Sequence, residues 1–183
     1  PLAKCPARVM PLERKEPDAV SLLPDLGAVP EADTLRTAGQ ALGLELSDHQ
    51  LQQLMGFRDA LLKWNKVYNL TAIRQPKDML QQHLIDCLAI VRPVQFQLAR
   101  RDAAGSNAER SACILDVGSG GGLPGVVLAI ALPSCRVDCV DAVAKKAAFI
   151  QQAAGALNLP NLRGVHARVE RLDERFDLVT SRA

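Results

Sequence analysis

Four of the five residues from Gly118 to Gly122 are glycine, and they stand between two apolar runs: Ile114-Leu-Asp-Val before them and Leu123-Pro-Gly-Val-Val-Leu after them. Glycine density of this kind costs backbone entropy and weakens a helix or a strand, so the segment has to be a loop. The apolar run before it (Cys113 to Val117) has the length of a buried strand. Pro124 suits the first turn of a following helix, where its missing N–H is not needed. The unit is therefore strand, glycine loop, helix. In a parallel α/β sheet such a loop lies at the carboxyl edge, where nucleotide-like ligands bind.

Three ligand classes compete for that loop. A P-loop needs a lysine after its last glycine, and none follows Gly125. Gly120, Gly122 and Gly125 satisfy G-x-G-x-x-G, so a dinucleotide remains open on pattern alone. Asp116 stands just before the first turn, where a carboxylate would repel a pyrophosphate. The same carboxylate would suit S-adenosylmethionine (SAM), which carries an ammonium and a sulfonium and no phosphate. The next strand is predicted over 135–140, and Asp141 ends it. A carboxylate there can accept both ribose hydroxyls; otherwise it would cap the helix expected near Ala144.

Four segments together carry a resemblance: Lys63-Trp-Asn-Lys-Val-Tyr-Asn-Leu-Thr71, His83-Leu-Ile-Asp86, the glycine loop from Asp116 to Gly125, and Ser181-Arg-Ala183. They resemble the RsmG (GidB) family over roughly residues 35–183. The resemblance implies a Rossmann-like class I SAM-dependent methyltransferase sheet with an N-terminal helical cap. It also implies methyl transfer from SAM to N7 of a guanine in 16S ribosomal RNA. The target is then 16S ribosomal RNA or the small ribosomal subunit. The cofactor residues it implies are Asp116, Gly118, Gly120 and Leu123 along the loop and Asp141 at the ribose. Val169 and Glu170 are implied at the adenine, and Arg182 at the methionine carboxylate or a substrate phosphate. A departure is Cys87, where the family usually has Ser. A methyltransferase acting on a small molecule or a protein, and a non-catalytic SAM-binding fragment, are the alternatives.

Substrate candidates cluster between Ala60 and Lys77, where Lys63, Lys66, Arg74 and Lys77 occur with no acid. Cations bind phosphate, and aromatic rings can stack on unpaired bases. Trp64 and Tyr68 are nevertheless expected in the core. Asn69, in the loop after the helix, is a candidate to face the site. His83 and Asp86 are three apart and are expected to share a helix face. Guanine N7 already carries a lone pair and loses no proton, so no general base is needed. His83 is therefore expected as a positioning residue on the substrate side, paired with Asp86. His166 is read as an ordinary edge residue.

Periodicity supplies the frame. Helices are predicted over 31–43, from a capping box at Ser47 and Gln50 to about Val67, and from Pro76 to near Val91, with Pro93 following the last. These form the cap (31–98). Residues 99–112 read as a linker. Strands follow at 113–117, 135–140, 162–166 and 175–180, alternating with helices at 124–131 and 144–157, with a short turn near 168–172. Alternation means a parallel sheet with right-handed crossovers.

Residues 1–30 hold six of the eleven prolines and read as a loose arm. The net charge of +2 demands no polyanionic partner, so any RNA surface must be local. Five cysteines form no C-x-x-C pair, which argues against zinc or a disulfide framework and for a reduced, cytoplasmic setting. No apolar run reaches spanning length, and no signal peptide is apparent. Pro1 in place of Met, and an end just past a strand, lead to the expectation that both ends are cut. Four strands of a usual seven would then be present in the core (113–183). The last would be an open edge and activity impaired, while the complete protein would be a monomer.

Overall fold

The computed structural model describes residues 30–103 and 111–182. The arm expected over 1–30 lies almost wholly outside them, as does half of the linker expected over 99–112.

A parallel sheet carries the fold. Its strands are β1 (Cys113–Val117), β2 (Arg136–Asp141), β3 (Leu162–His166) and β4 (Leu178–Ser181), in the order β3-β2-β1-β4. All three pairings are parallel, as the alternation of strand and helix predicts. The strand order reverses at β1, which makes the gap between β1 and β4 the switch point of a Rossmann-like sheet. The fourth strand starts three residues later than predicted, because Asp177 is used differently. Its N–H donates to Cys113 O and its Oδ2 accepts from Cys113 N–H, both at 2.8 Å, so it locks the ends of the two strands together.

Helices α1 (Pro30–Ala41) and α2 (Asp48–Tyr68) form the cap. The predicted box at the start of α2 is present: Ser47 Oγ accepts from Gln50 N–H, and the Gln50 side chain accepts from Ser47 N–H. Buried Leu51, Leu54, Phe57 and Leu61 give α2 an apolar face that joins the sheet's own core. Two amides fix its docking. Gln50 Nε2 donates to Ile130 O and Gln53 Nε2 to Leu157 O, each at 2.9 Å. Both carbonyls lie at the C-terminal ends of α6 (Gly125–Ala131) and α7 (Ala144–Ala156), where helix carbonyls lack partners.

The third cap segment departs from expectation. It begins at Pro76 as α3 (Pro76–Met79), widens into a π turn (Leu80–Ile85) and resumes as α4 (Asp86–Ala89). Pro93 does not follow the end of a helix. It sits in the first turn of α5 (Val91–Ala103), where an N–H has no helical acceptor anyway. Residues 99–103, read as linker, belong to that helix.

Buried Cys87, Cys113, Cys135 and Cys139 are free thiols. Among the described residues no group of His, Cys, Asp or Glu could hold a metal ion, and no helix is long and apolar enough to cross a membrane.

Candidate functional site

The glycine loop turns through three left-handed residues, Gly118, Gly120 and Gly122, with φ of 68°, 56° and 81°. Side chains are strained in that region, so the turn requires glycine. The N–H groups of Gly118 and Ser119 donate to Val140 O at 2.9 and 3.2 Å, which draws the loop over the end of β2. Gly118 and Gly120 stay at the surface, while every residue from Gly121 to Ile130 is buried. The cap presses on the loop from the other side, since a Cβ on Gly121 would stand 2.9 Å from Leu61 Cδ1 of α2.

Two carboxylates hold the loop. Asp116 is fully buried beneath it. Its Oδ2 accepts from Gly125 N–H at 3.0 Å and its Oδ1 from the Thr180 hydroxyl at 3.2 Å. Thr180 stands directly opposite on β4, so the bond is a cross-strand pair. Burial pushes the Asp116 carboxyl up to about 6, against the lowering pull of Gly125 N–H, Thr180 and Arg182. Asp116 was expected to face a ligand's ammonium. The structure turns it instead toward the start of α6, because its strand position points it at that helix. Asp141 is the second carboxylate. Its Oδ2 accepts from Gly120 N–H at 3.0 Å and its Oδ1 from Val143 N–H at 2.8 Å, while Lys146 Nζ stands 3.6 Å from Oδ2. Asp141 does not cap α7, whose N-cap is Val143 with no side-chain cap bond; it ties the glycine loop to the turn before that helix.

A cleft of about 390 Å³ opens at the carboxyl ends of β1, β2 and β3. Gly118, Asp141, Val169 and Glu170 line it, as the sequence predicts for a nucleoside site, together with Arg168. Val169 and Glu170 lie on a single 3-10 turn (Val169–Arg171) that follows β3. Leu123 does not join them. Its side chain is buried in the core and its N–H bonds to Ser119 O at 3.1 Å, because the chain has already turned into α6 there.

Arg182 lies on the far side of the switch point, beside a second cleft of about 400 Å³ between α4, α5 and β4. Asp86, Cys87, Pro124 and Thr180 share that cleft. One Arg182 nitrogen donates to His83 Nδ1 at 3.1 Å and another to Cys87 Sγ at 3.8 Å. Of the cofactor residues read from sequence, Gly118, Asp141, Val169 and Glu170 thus line one cleft and Arg182 the other, while Asp116 is buried and lines neither.

His83 does not pair with Asp86. The π turn displaces the three-residue spacing from a common face. His83 is buried between Arg182 and Thr71, whose Oγ1 is 2.6 Å from Nε2. The ring is therefore not exposed as a surface contact would be. Burial, and then the Arg182 charge, hold the imidazole below its ordinary 6.5, which favours the neutral ring. Burial likewise pushes the Cys87 thiol up to about 12, so it is no thiolate.

Lys63 and Lys66 are exposed on the last turns of α2. Asn69 is the left-handed residue that ends α2, with φ 49°, and its Oδ1 accepts from Arg74 at 3.1 Å. Trp64 packs on Phe149, with ring centroids 5.3 Å apart, but Tyr68 leaves the core. It is 38% exposed, with Lys145 Nζ 5.8 Å from its ring centre. His166 is an edge residue, its Nε2 donating to Ala142 O at 3.2 Å.

Sequence reasoning missed Thr71, Thr180 and Asn65 as parts of the site. Thr180 was findable only from the strand register. Asn65 is buried, its Oδ1 accepting from Thr71 N–H at 2.9 Å and its Nδ2 donating to Ile73 O at 3.0 Å. It shapes the loop that delivers Thr71 to His83.

Comparison with known proteins agrees with this geometry. The family model described as GidB, rRNA small subunit methyltransferase G, matches residues 50–183. A protein of Acidovorax ebreus (strain TPSY) named ribosomal RNA small subunit methyltransferase G is 59% identical over 149 residues, covering 81% of this chain and 66% of that protein. Proteins of the same name from Polaromonas sp. (strain JS666) and Bordetella avium (strain 197N) are 56% and 50% identical, covering 81% and 83% of this chain and 64% and 65% of their own lengths. The chain thus spans a little under two thirds of the length of these curated relatives. With its glycine loop, its two carboxylate struts and the cleft at the carboxyl edge of a parallel sheet, the chain belongs to the rRNA small subunit methyltransferase G (GidB) family.

Proposed function

We propose that this chain binds S-adenosylmethionine in the cleft lined by Gly118, Asp141, Val169 and Glu170 and serves methyl transfer to N7 of a guanine in 16S ribosomal RNA. The observation that carries the reading is the coincidence of that cleft with the residues expected for a nucleoside. The ribose hydroxyls would meet Asp141, and the adenine would lie against Val169 beside Glu170. The loop offers no ring of free N–H groups for a pyrophosphate. Two of its amides are spent on Val140 O and one on Asp141.

The chemistry asks little of the protein beyond placement. SAM held there would supply an electrophilic methyl group to guanine N7 and would leave as a neutral thioether. No proton is transferred, which agrees with a His83 held neutral and bonded on both nitrogens. Oriented approach in a dry site can supply about 7–11 kcal/mol. Lys63, Lys66, Arg74 and Asn69 would hold the phosphates of the RNA, free or within the small subunit. Arg182 would meet the methionine carboxylate or a substrate phosphate. A cytoplasmic location and a monomeric complete protein belong to the same reading.

Calorimetric titration of this chain with SAM and S-adenosylhomocysteine, with NAD as control, tests it first. Binding of the first two and not of NAD is expected, and would justify an assay for transfer of labelled methyl to undermethylated small-subunit RNA. Binding of NAD alone would reject the reading.

A further inference from the structure

A chain of hydrogen bonds runs from the loop after α2, through the π turn, to the end of β4. Asn65 holds the loop. Thr71 Oγ1 accepts from Ile73 N–H at 3.2 Å and meets His83 Nε2 at 2.6 Å, and His83 Nδ1 meets the Arg182 guanidinium at 3.1 Å. The protonation pattern follows from the donors. A guanidinium can only donate, so the contact with Arg182 requires a lone pair on Nδ1 and the imidazole proton on Nε2, from where it would donate to Thr71 Oγ1. Gln82 O also lies 3.1 Å from Nδ1. Nδ1 is thus flanked by a donor and an acceptor, and the position of one proton decides between them. With the proton on Nε2, Arg182 is held. With it on Nδ1, the ring bonds to Gln82 O and two donors face each other at Arg182.

We propose that Thr71 and His83 are positioning residues for Arg182: Thr71 Oγ1 accepts a hydrogen bond from His83 Nε2–H, which keeps the proton there and leaves the Nδ1 lone pair to fix the guanidinium at the switch point of the sheet. The charged groups facing His83 are Arg182, from the end of β4, and Asp86, from α4. The proposal rests on the reading that Arg182 meets cofactor or substrate.

The test uses this chain with four variants: Thr71→Val, His83→Asn, His83→Leu and Arg182→Ala. Folding of each is checked by its urea midpoint. Two-bond proton–nitrogen spectra report the tautomer directly. The expected result is a proton on Nε2 in the unsubstituted chain and a shift toward Nδ1 in Thr71→Val. A proton on Nδ1 in the unsubstituted chain would overturn the proposal. S-adenosylhomocysteine affinity and methyl transfer to small-subunit RNA give the second readout. Loss of a hydrogen bond to a charged group predicts roughly a tenfold fall for Arg182→Ala. Thr71→Val and His83→Leu should lower the same quantity and add nothing further in the Arg182→Ala background. His83→Asn, which can keep an acceptor near Nδ1, should recover most of it. A fall for Arg182→Ala with none for Thr71→Val and His83→Leu would remove the positioning role. No fall for Arg182→Ala would remove both it and the Arg182 assignment, while the SAM reading is judged separately by titration of the unsubstituted chain.

Discussion

Gly125 donates its N–H to the Asp116 carboxylate at 3.0 Å across a contact too close for any side chain. A Cβ on Gly125 would land on Cys139 Sγ and 2.9 Å from Asp116 Oδ2. Cys139 and Thr180 are the register partners of Asp116 on β2 and β4, so the start of α6 rests on three adjacent strands at one level. Gly125→Ala is therefore expected to destabilise by at least the 1–3 kcal/mol or so typical of overpacking. Adding Cys139→Ala should recover part of the loss in a urea titration. No recovery would place the strain elsewhere.

Asp116 makes stability depend on pH in an unusual direction. Its folded carboxyl is raised from an ordinary 3.8 to about 6. Between those values the folded chain binds the extra proton, so this group's contribution is full below about 4 and is lost as pH rises through 6. At about 1.4 kcal/mol per pH unit, the ionised form costs about 3 kcal/mol at pH 7. Asp116→Asn should leave the chain as stable or more so at pH 7.5, with the gain vanishing below pH 4. An equal loss at every pH would show that the carboxylate bonds outweigh its burial.

His83 acts with the opposite sign. Its folded pKa is depressed by burial and by Arg182, so its contribution is complete above 6.5 and is lost as pH falls toward the folded value. The difference in urea midpoint between the unsubstituted chain and His83→Asn should therefore shrink from pH 7.5 to pH 5.5. A constant difference would mean that the ring protonates equally in both states.

Asp141 has a structural and a proposed ligand role, and two substitutions separate them. Asp141→Ala removes the acceptor for Gly120 and Val143 and should lower both stability and S-adenosylhomocysteine affinity. Asp141→Asn keeps one oxygen for Val143 N–H. It should lose roughly tenfold in affinity with a smaller stability change, since the ribose would lose a charged acceptor. Unchanged affinity in both would end the ribose assignment.

Lys63 and Lys66 are exposed on the last turns of α2, so their replacement should touch RNA alone. Lys63→Glu with Lys66→Glu should weaken RNA binding and flatten its salt dependence by about 0.7 in log–log slope per lost contact to a single strand. Cofactor affinity should not move. An unaltered salt slope would send the search for the RNA surface to another face.

Much of this molecule was legible without coordinates. The glycine loop, the alternation of strand and helix and the capping box at Ser47 depend on local rules. Each is decided by neighbours a few residues apart, through backbone freedom, side-chain period and unpaired amides. Gly118 and Asp141 follow from the ends of consecutive strand–helix units, Val169 and Glu170 from the family resemblance, and the four share a cleft. What needed the tertiary structure was the direction and partner of each polar group. Asp116 looked like a ligand contact until the register set it against Thr180 and the start of α6. His83 looked like a partner of Asp86 until the π turn rotated it toward Arg182, 99 positions away. Leu123 looked like part of the loop's surface until the helix after it carried its side chain into the core. A sequence states which groups can donate, accept or hold charge; only the packing of distant segments decides which of them meet, because in a buried site each such group must find its partner from whatever the fold brings within about 3 Å.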